Sequence, residues 1–115
     1  MLYRSNKIYV DDSPVHGRGV FASERIKRGE ILEECHYIKA PPGIEYPEIL
    51  NEHFFSWPKG GEGLAICLGY GSIFNHSDHE NNADWQTDTL KNKIIFFATR
   101  DIEMGEEIFT NYQKY

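Results

Sequence analysis

Hydrophobic positions in this chain fall in short runs, each closed by turn-forming residues. Lys7-Ile8-Tyr9-Val10 reads as a strand that ends at the turn cluster Asp11-Asp12-Ser13-Pro14. Gly19-Val20-Phe21-Ala22 is a second short strand, and Lys27-Arg28-Gly29-Glu30 is a turn. Ile31 to Ile38 reads as one longer strand, stopped by Pro41-Pro42-Gly43. Residues 46–53 form a predicted short helix with Pro47 in its first turn. His53 to Trp57 is extended and ends at Pro58. Lys59 to Gly63 is a loop that lacks the Gly-Lys-Ser/Thr ending of a phosphate-binding loop. Leu64 to Leu68 is a predicted buried strand, followed by an irregular stretch from Gly69 to Ala83. Ala83–Thr87 and Lys93–Thr99 make a hairpin around the loop Asp88 to Asn92. Arg100 to Glu106 is a turn that echoes residues 25–30, and Ile108-Phe109-Thr110 is the last strand.

Strands with scattered turns and no strand–helix alternation predict a mainly β fold with few short helices. A doubly wound parallel sheet is excluded, because it needs helices between its strands. The 115 residues predict a single domain over residues 1–115. With 40% hydrophobic and 14% aromatic residues, the chain has the material for a core. No apolar run approaches the roughly 20 residues that cross a bilayer, and the first residues lack an apolar signal segment. An intracellular protein without membrane attachment is therefore expected, cytoplasmic or nuclear. The two cysteines, Cys35 and Cys67, exclude a disulfide framework and a cysteine-rich zinc site as organising features.

The net charge of −6 argues against a nonspecific grip on nucleic acid. Its distribution adds more. Residues 33–90 hold two basic and ten acidic side chains, net −8. Such a segment attracts a basic partner or serves only as a solvated face.

Three patterns carry candidate chemistry. His16-Gly17-Arg18-Gly19-Val20-Phe21-Ala22 holds paired glycines, which allow close approach to the backbone. Ile73-Phe74-Asn75-His76-Ser77 runs from apolar residues into the polar stretch Asp78-His79-Glu80-Asn81-Asn82. His76 and His79 stand three apart, but no third ligand has a recognised spacing, so no metal site is predicted. The third pattern is Gly105-Glu106-Glu107-Ile108-Phe109-Thr110-Asn111-Tyr112.

In that order, over about Ile8 to Tyr112, the three patterns resemble the SET domain of protein lysine methyltransferases. The similarity is greatest to the small stand-alone SET proteins of bacteria and viruses. The turns Ile26-Lys27-Arg28-Gly29-Glu30 and Asp101 to Glu107 match two turns typical of the family. The resemblance implies a β-clip-like fold of small sheets whose C-terminal segment makes a pseudoknot. It implies a transferase of the EC 2.1.1 class: an S-adenosylmethionine-dependent lysine N-methyltransferase acting on a basic, histone-like protein or peptide. The alternative is an inactive SET-like binding module. Cofactor contacts are implied for Gly17, Arg18, Gly19, Asn75, His76 and Tyr112, with Tyr112 as the catalytic tyrosine.

Departures from the family pattern carry their own expectations. Glu80-Asn81 stands where many members have Pro-Asn, so Asn81 keeps the second position. Glu34-Cys35 occupies the place of a channel-lining tyrosine, for which Tyr70 and Tyr37 are the substitutes to consider. Larger members carry a zinc segment after the final tyrosine. Here three residues follow Tyr112, so the wall is expected from elsewhere in the chain or from a partner in a homodimer, or is absent. Lys114 falls where members often carry an aromatic residue that controls methylation degree.

Overall fold

The first run forms β1 (Ile8–Asp12), which turns back through residues 13–17 into β2 (Arg18–Ala22). Their antiparallel register pairs Ile8 with Ala22 and Asp12 with Arg18. Ser13 builds the turn. Its N–H donates to the Gly17 carbonyl at 2.8 Å, and its hydroxyl accepts the Val15 and His16 N–H groups. The structure is a computed structural model that describes residues 2–112.

Among the described residues, ten strands form three small sheets. The first sheet has the order β1-β2-β10-β7, with β7 (Asn75–His76) and β10 (Glu107–Thr110). The second is β3-β9-β8, with β3 (Ile31–Cys35), β8 (Ala83–Asp88) and β9 (Lys93–Ala98). The third is β4-β6-β5, with β4 (Tyr37–Ala40), β5 (Phe54–Trp57) and β6 (Gly63–Cys67). The mainly β reading holds.

Three local expectations are corrected. The run from Ile31 to Ile38 is two strands, because the chain leaves one sheet after Cys35 and joins another at Tyr37. The His36 carbonyl accepts the Leu68 N–H at 2.9 Å, which ties the crossing point to the end of β6. No glycine or proline marks that break; pairing with two different partners makes it. The Leu64 to Leu68 strand is half-buried. Ala65 and Cys67 face the core, whereas Leu64 and Ile66 lie on the opposite face, half-buried beside Phe54 and Ser56. The helix α1 (Glu48–Asn51) is shorter than predicted, with Pro47 at its N-cap.

The two echoing turns meet each other. Ile26 and Ile102 exchange backbone hydrogen bonds at 2.8 Å in both directions, and both side chains are fully buried. Asp101 joins the turns again by accepting from the Arg28 N–H and from the Arg25 guanidinium, each at 2.9 Å. These bonds hold its carboxyl below the usual range.

The last strand decides where the site forms. β10 lies between β2, to which it is antiparallel, and β7, to which it is parallel. Phe109 stands beside Asn75 and Thr110 beside His76. Asn82 is buried beside β10. Its Oδ1 accepts the Phe109 N–H at 2.8 Å, and its Nδ2 donates to the Glu107 carbonyl at 3.0 Å. The buried amide that the polar loop supplies is therefore Asn82, whereas Asn81 is half-buried and donates to the Ala83 carbonyl.

Candidate active site

A cleft of about 950 Å³ opens where three stretches converge. The β1–β2 turn contributes Val15 to Arg18, the stretch Ser72 to His76 contributes a second wall, and the residues after β10 contribute Asn111 and Tyr112. Glu52 and His53 close it from the end of α1.

Tyr112 is buried at the floor of the site, at 4% exposure. Its ring stacks on Phe55 with centroids 4.3 Å apart, within an aromatic cluster that adds Trp85 and Phe96. Trp85 Nε1 donates to the Asn111 carbonyl at 2.8 Å, which anchors the residue before Tyr112. The phenol donates to the Phe74 carbonyl at 2.6 Å. Burial, reinforced by nearby Cys67, pushes the Tyr112 phenol well above its ordinary range. It is a neutral donor at physiological pH.

His76 receives the backbone of the same residue. Its Nδ1 accepts the Tyr112 N–H at 3.0 Å, so the ring proton is on Nε2, which lies 2.8 Å from Asp78 Oδ1. The 3-10 turn Gly69–Ser72 leads into this wall. The Tyr70 carbonyl accepts the N–H groups of Ile73 and Phe74 and so presents the Phe74 carbonyl to Tyr112.

Asn75 uses its amide nitrogen inside the protein. Nδ2 points at the His16 carbonyl (3.1 Å), the Arg18 carbonyl (3.2 Å) and Glu107 Oε2 (2.7 Å). These bonds fasten the β1–β2 turn to β7.

Gly17, Arg18, Asn75, His76 and Tyr112 all line the cleft, although 94 residues separate Arg18 from Tyr112. Gly17 has a φ of +49°, a left-handed conformation that glycine adopts without strain, and among the described residues no heavy atom lies within 4 Å of where its Cβ would stand. Gly19 does not line the cleft. A Cβ there would stand 2.2 Å from Glu107 Oε2, so this glycine makes room for a carboxylate. Tyr70 and Tyr37 also lie outside the cleft lining. The Tyr70 ring lies under the Arg4 guanidinium at 3.8 Å. The Tyr37 ring stacks on Trp57 at 4.0 Å. Lys114 falls outside the described residues. His76 and His79 line different clefts.

The sequence patterns missed Phe55, Trp85, Ser13 and Glu107. Phe55 and Trp85 read only as members of predicted strands. Glu107 sits inside the third pattern, but nothing local shows that its side chain reaches the β1–β2 turn.

The sequence profile of the SET domain matches residues 17–113. A Schizosaccharomyces pombe protein named histone-lysine N-methyltransferase, H3 lysine-37 specific, is 35% identical over 108 residues, spanning 90% of this chain and 71% of that relative. Among solved structures, a Plasmodium falciparum protein proposed to be a histone methyltransferase superposes with a TM-score of 0.76 at 32% identity, over 94% of both chains. The Neurospora SET domain protein DIM-5, a histone lysine methyltransferase, shares the fold with a TM-score of 0.72 at 18% identity, over 95% of this chain and 53% of its own. The profile match begins at Gly17 in the turn that opens the cleft and includes the tyrosine that floors it, and on that match this chain belongs to the SET domain family.

Proposed function

We propose that this chain is an S-adenosylmethionine-dependent protein-lysine N-methyltransferase that acts on a basic protein or peptide of histone-like character. The observation that carries the reading is the convergence of Tyr112 with the Gly17-Arg18 turn and the Asn75-His76 strand in one cleft. The relatives named for histone lysine methylation support the same chemistry.

The residues present fit the cofactor. The cleft volume is within the roughly 300–1,000 Å³ range of small-molecule sites. Gly17 leaves open space where a side chain would intrude. Arg18 offers a cation to a carboxylate, and Glu52 and Asp78 offer anions to an ammonium group. When bound, S-adenosylmethionine supplies an electrophilic methyl group on a sulfonium.

The chain's own residues then have two tasks. They must hold the acceptor lysine neutral and in line. At pH 7 the neutral form of a free lysine costs about 4.6 kcal/mol, and apolar surroundings lower that cost. The rings of Phe55, Phe74 and Tyr112 supply such surroundings on the floor of the site. Tyr112, held neutral by burial and fixed at both its N–H and its phenol, acts by position.

Substrate charge has a candidate counterpart. A groove beside the cleft carries Glu45, Glu48 and Glu52 over Tyr46, Phe54 and Phe55. It shares Glu52 with the cleft, and its Phe55 is the ring stacked on Tyr112. A Lys/Arg-rich peptide matches that charge.

The test is calorimetric titration with S-adenosylmethionine, followed by transfer of labelled methyl groups onto purified histones. Binding and label on lysine are expected. Absence of binding, or a Tyr112→Phe variant that transfers at the wild-type rate, overturns the reading.

A further inference from the structure

The second glycine of the Gly17-Arg18-Gly19 turn is shaped around a carboxylate, and that carboxylate does more than fill space. Glu107 Oε1 and Oε2 accept the Ser13 hydroxyl at 2.7 and 3.0 Å, and Oε2 accepts Asn75 Nδ2 at 2.7 Å. A Cβ on Gly19 would stand 2.2 Å from Oε2 and 3.1 Å from Asn75 Nδ2. Glycine is therefore the residue that lets the carboxylate reach the amide.

The Asn75 amide thus faces three acceptors with one nitrogen: the His16 carbonyl, the Arg18 carbonyl and Glu107. An asparagine amide has two ends of nearly the same shape and opposite hydrogen-bonding sense. Turned over, it would set Oδ1 against all three acceptors, one of them charged. The network permits one orientation. Among the described residues, Oδ1 has no hydrogen-bond donor, and Asn75 lines the cleft.

We propose that Glu107 is a positioning residue: with Ser13, it locks the Asn75 amide so that Oδ1 is a fixed acceptor on the cleft side. The cleft then selects ligands that present an N–H donor there, of the ammonium class. Glu107 itself touches no ligand. The inference rests on the reading that this cleft holds S-adenosylmethionine, whose amino-acid part carries such an ammonium.

The test uses the full chain and the unreactive product S-adenosylhomocysteine, which carries the same amino-acid part. Glu107→Gln can keep an oxygen where Oε2 stands, which accepts both the Asn75 amide and the Ser13 hydroxyl, and is expected to change the calorimetric Kd by no more than about threefold. Glu107→Leu is expected to weaken binding by about tenfold or more. Asn75→Asp puts an oxygen before the three acceptors and is expected to weaken binding by about thirtyfold. Adding Glu107→Gln to Asn75→Asp supplies a donor and is expected to recover at least about fivefold. A purely structural role for Glu107 predicts no such reversal, and equal losses in both backgrounds overturn the proposal.

A second measurement needs no ligand. In the free protein, the Asn75 side-chain amide protons are expected to exchange slowly in NMR spectra of the wild type and of Glu107→Gln, and fast in Glu107→Leu. Unchanged exchange in Glu107→Leu overturns the proposal. A wild type that binds no S-adenosylhomocysteine while the exchange pattern holds overturns the cofactor reading and leaves the positioning role supported.

Discussion

The backbone N–H of Tyr112 donates to Nδ1 of His76 at 3.0 Å, so the histidine side chain anchors the main chain of the tyrosine. His76 belongs to β7, and Tyr112 follows the strand that pairs with it. The side-chain bond continues the parallel ladder past its last backbone pair.

Shortening His76 should therefore act through Tyr112. Asparagine places an acceptor near the position of Nδ1, whereas alanine places none. His76→Ala is expected to lower kcat/KM for methyl transfer by about fivefold or more, in line with the loss of one hydrogen bond. His76→Asn is expected to retain most of the activity. Steady-state kinetics of the two variants check this, and equal losses would remove the anchoring role.

The Tyr112 phenol predicts a pH signature. Its pKa is raised by burial, so the folded state binds that proton more tightly than the unfolded chain. The resulting stability is fully present below the ordinary tyrosine pKa of about 10 and is lost as pH rises towards the folded value. Of the seven tyrosines, Tyr112 is expected to be silent in an ultraviolet titration until alkaline unfolding. The difference between wild type and Tyr112→Phe reads it directly. A tyrosinate signal from Tyr112 at or below pH 10 in the folded protein contradicts the assignment.

Gly71 is a packing glycine. A Cβ there would meet Cys67 Cβ at 2.7 Å, Cys35 Sγ at 2.9 Å and Phe96 Cε2 at 2.9 Å. All three belong to buried residues that cannot swing into solvent. Gly71→Ala is expected to destabilise the fold by about 2 kcal/mol through overpacking. Urea unfolding measures it, and a midpoint equal to that of the wild type would show that the site can relax.

The acidic groove predicts a kinetic split. Replacing Glu45, Glu48 and Glu52 together by Gln keeps the shape and removes three charges. KM for a basic peptide is expected to rise by about tenfold at low salt with kcat little changed, and the difference is expected to shrink as salt screens the charges. A KM unchanged at low salt would show that the substrate does not lie there.

Much of the strand inventory is legible in the chain itself. β-Branched and aromatic runs closed by Asp, Asn, Gly and Pro place most strands to within a residue or two. The hairpin loop is a clear case, because Asp88 caps the Leu90 and Lys91 N–H groups and Asn92 takes a φ of +53°. The ordered motifs at Gly17–Gly19, Asn75–His76 and Tyr112 likewise indicated the family that the comparisons show.

Partner choice is a different matter. Nothing near Cys35 says that the chain changes sheets there, since that depends on β9 pairing with Ile31–Cys35 and β6 with Tyr37–Ala40. The glycine at position 19 reads locally as a place for a ligand. Its neighbour is instead Glu107, 88 positions away in the chain. The resemblance offers Tyr70 and Tyr37 as channel substitutes, and nothing local shows that Arg4 lies over the Tyr70 ring. Local propensity records which backbone state a segment prefers, because that energy is set within a few residues. Which segments meet is set by burial and hydrogen bonding shared among the whole set, and only the folded arrangement resolves that competition. The cleft exists because β10 is drawn between β2 and β7, bringing Tyr112 to His76.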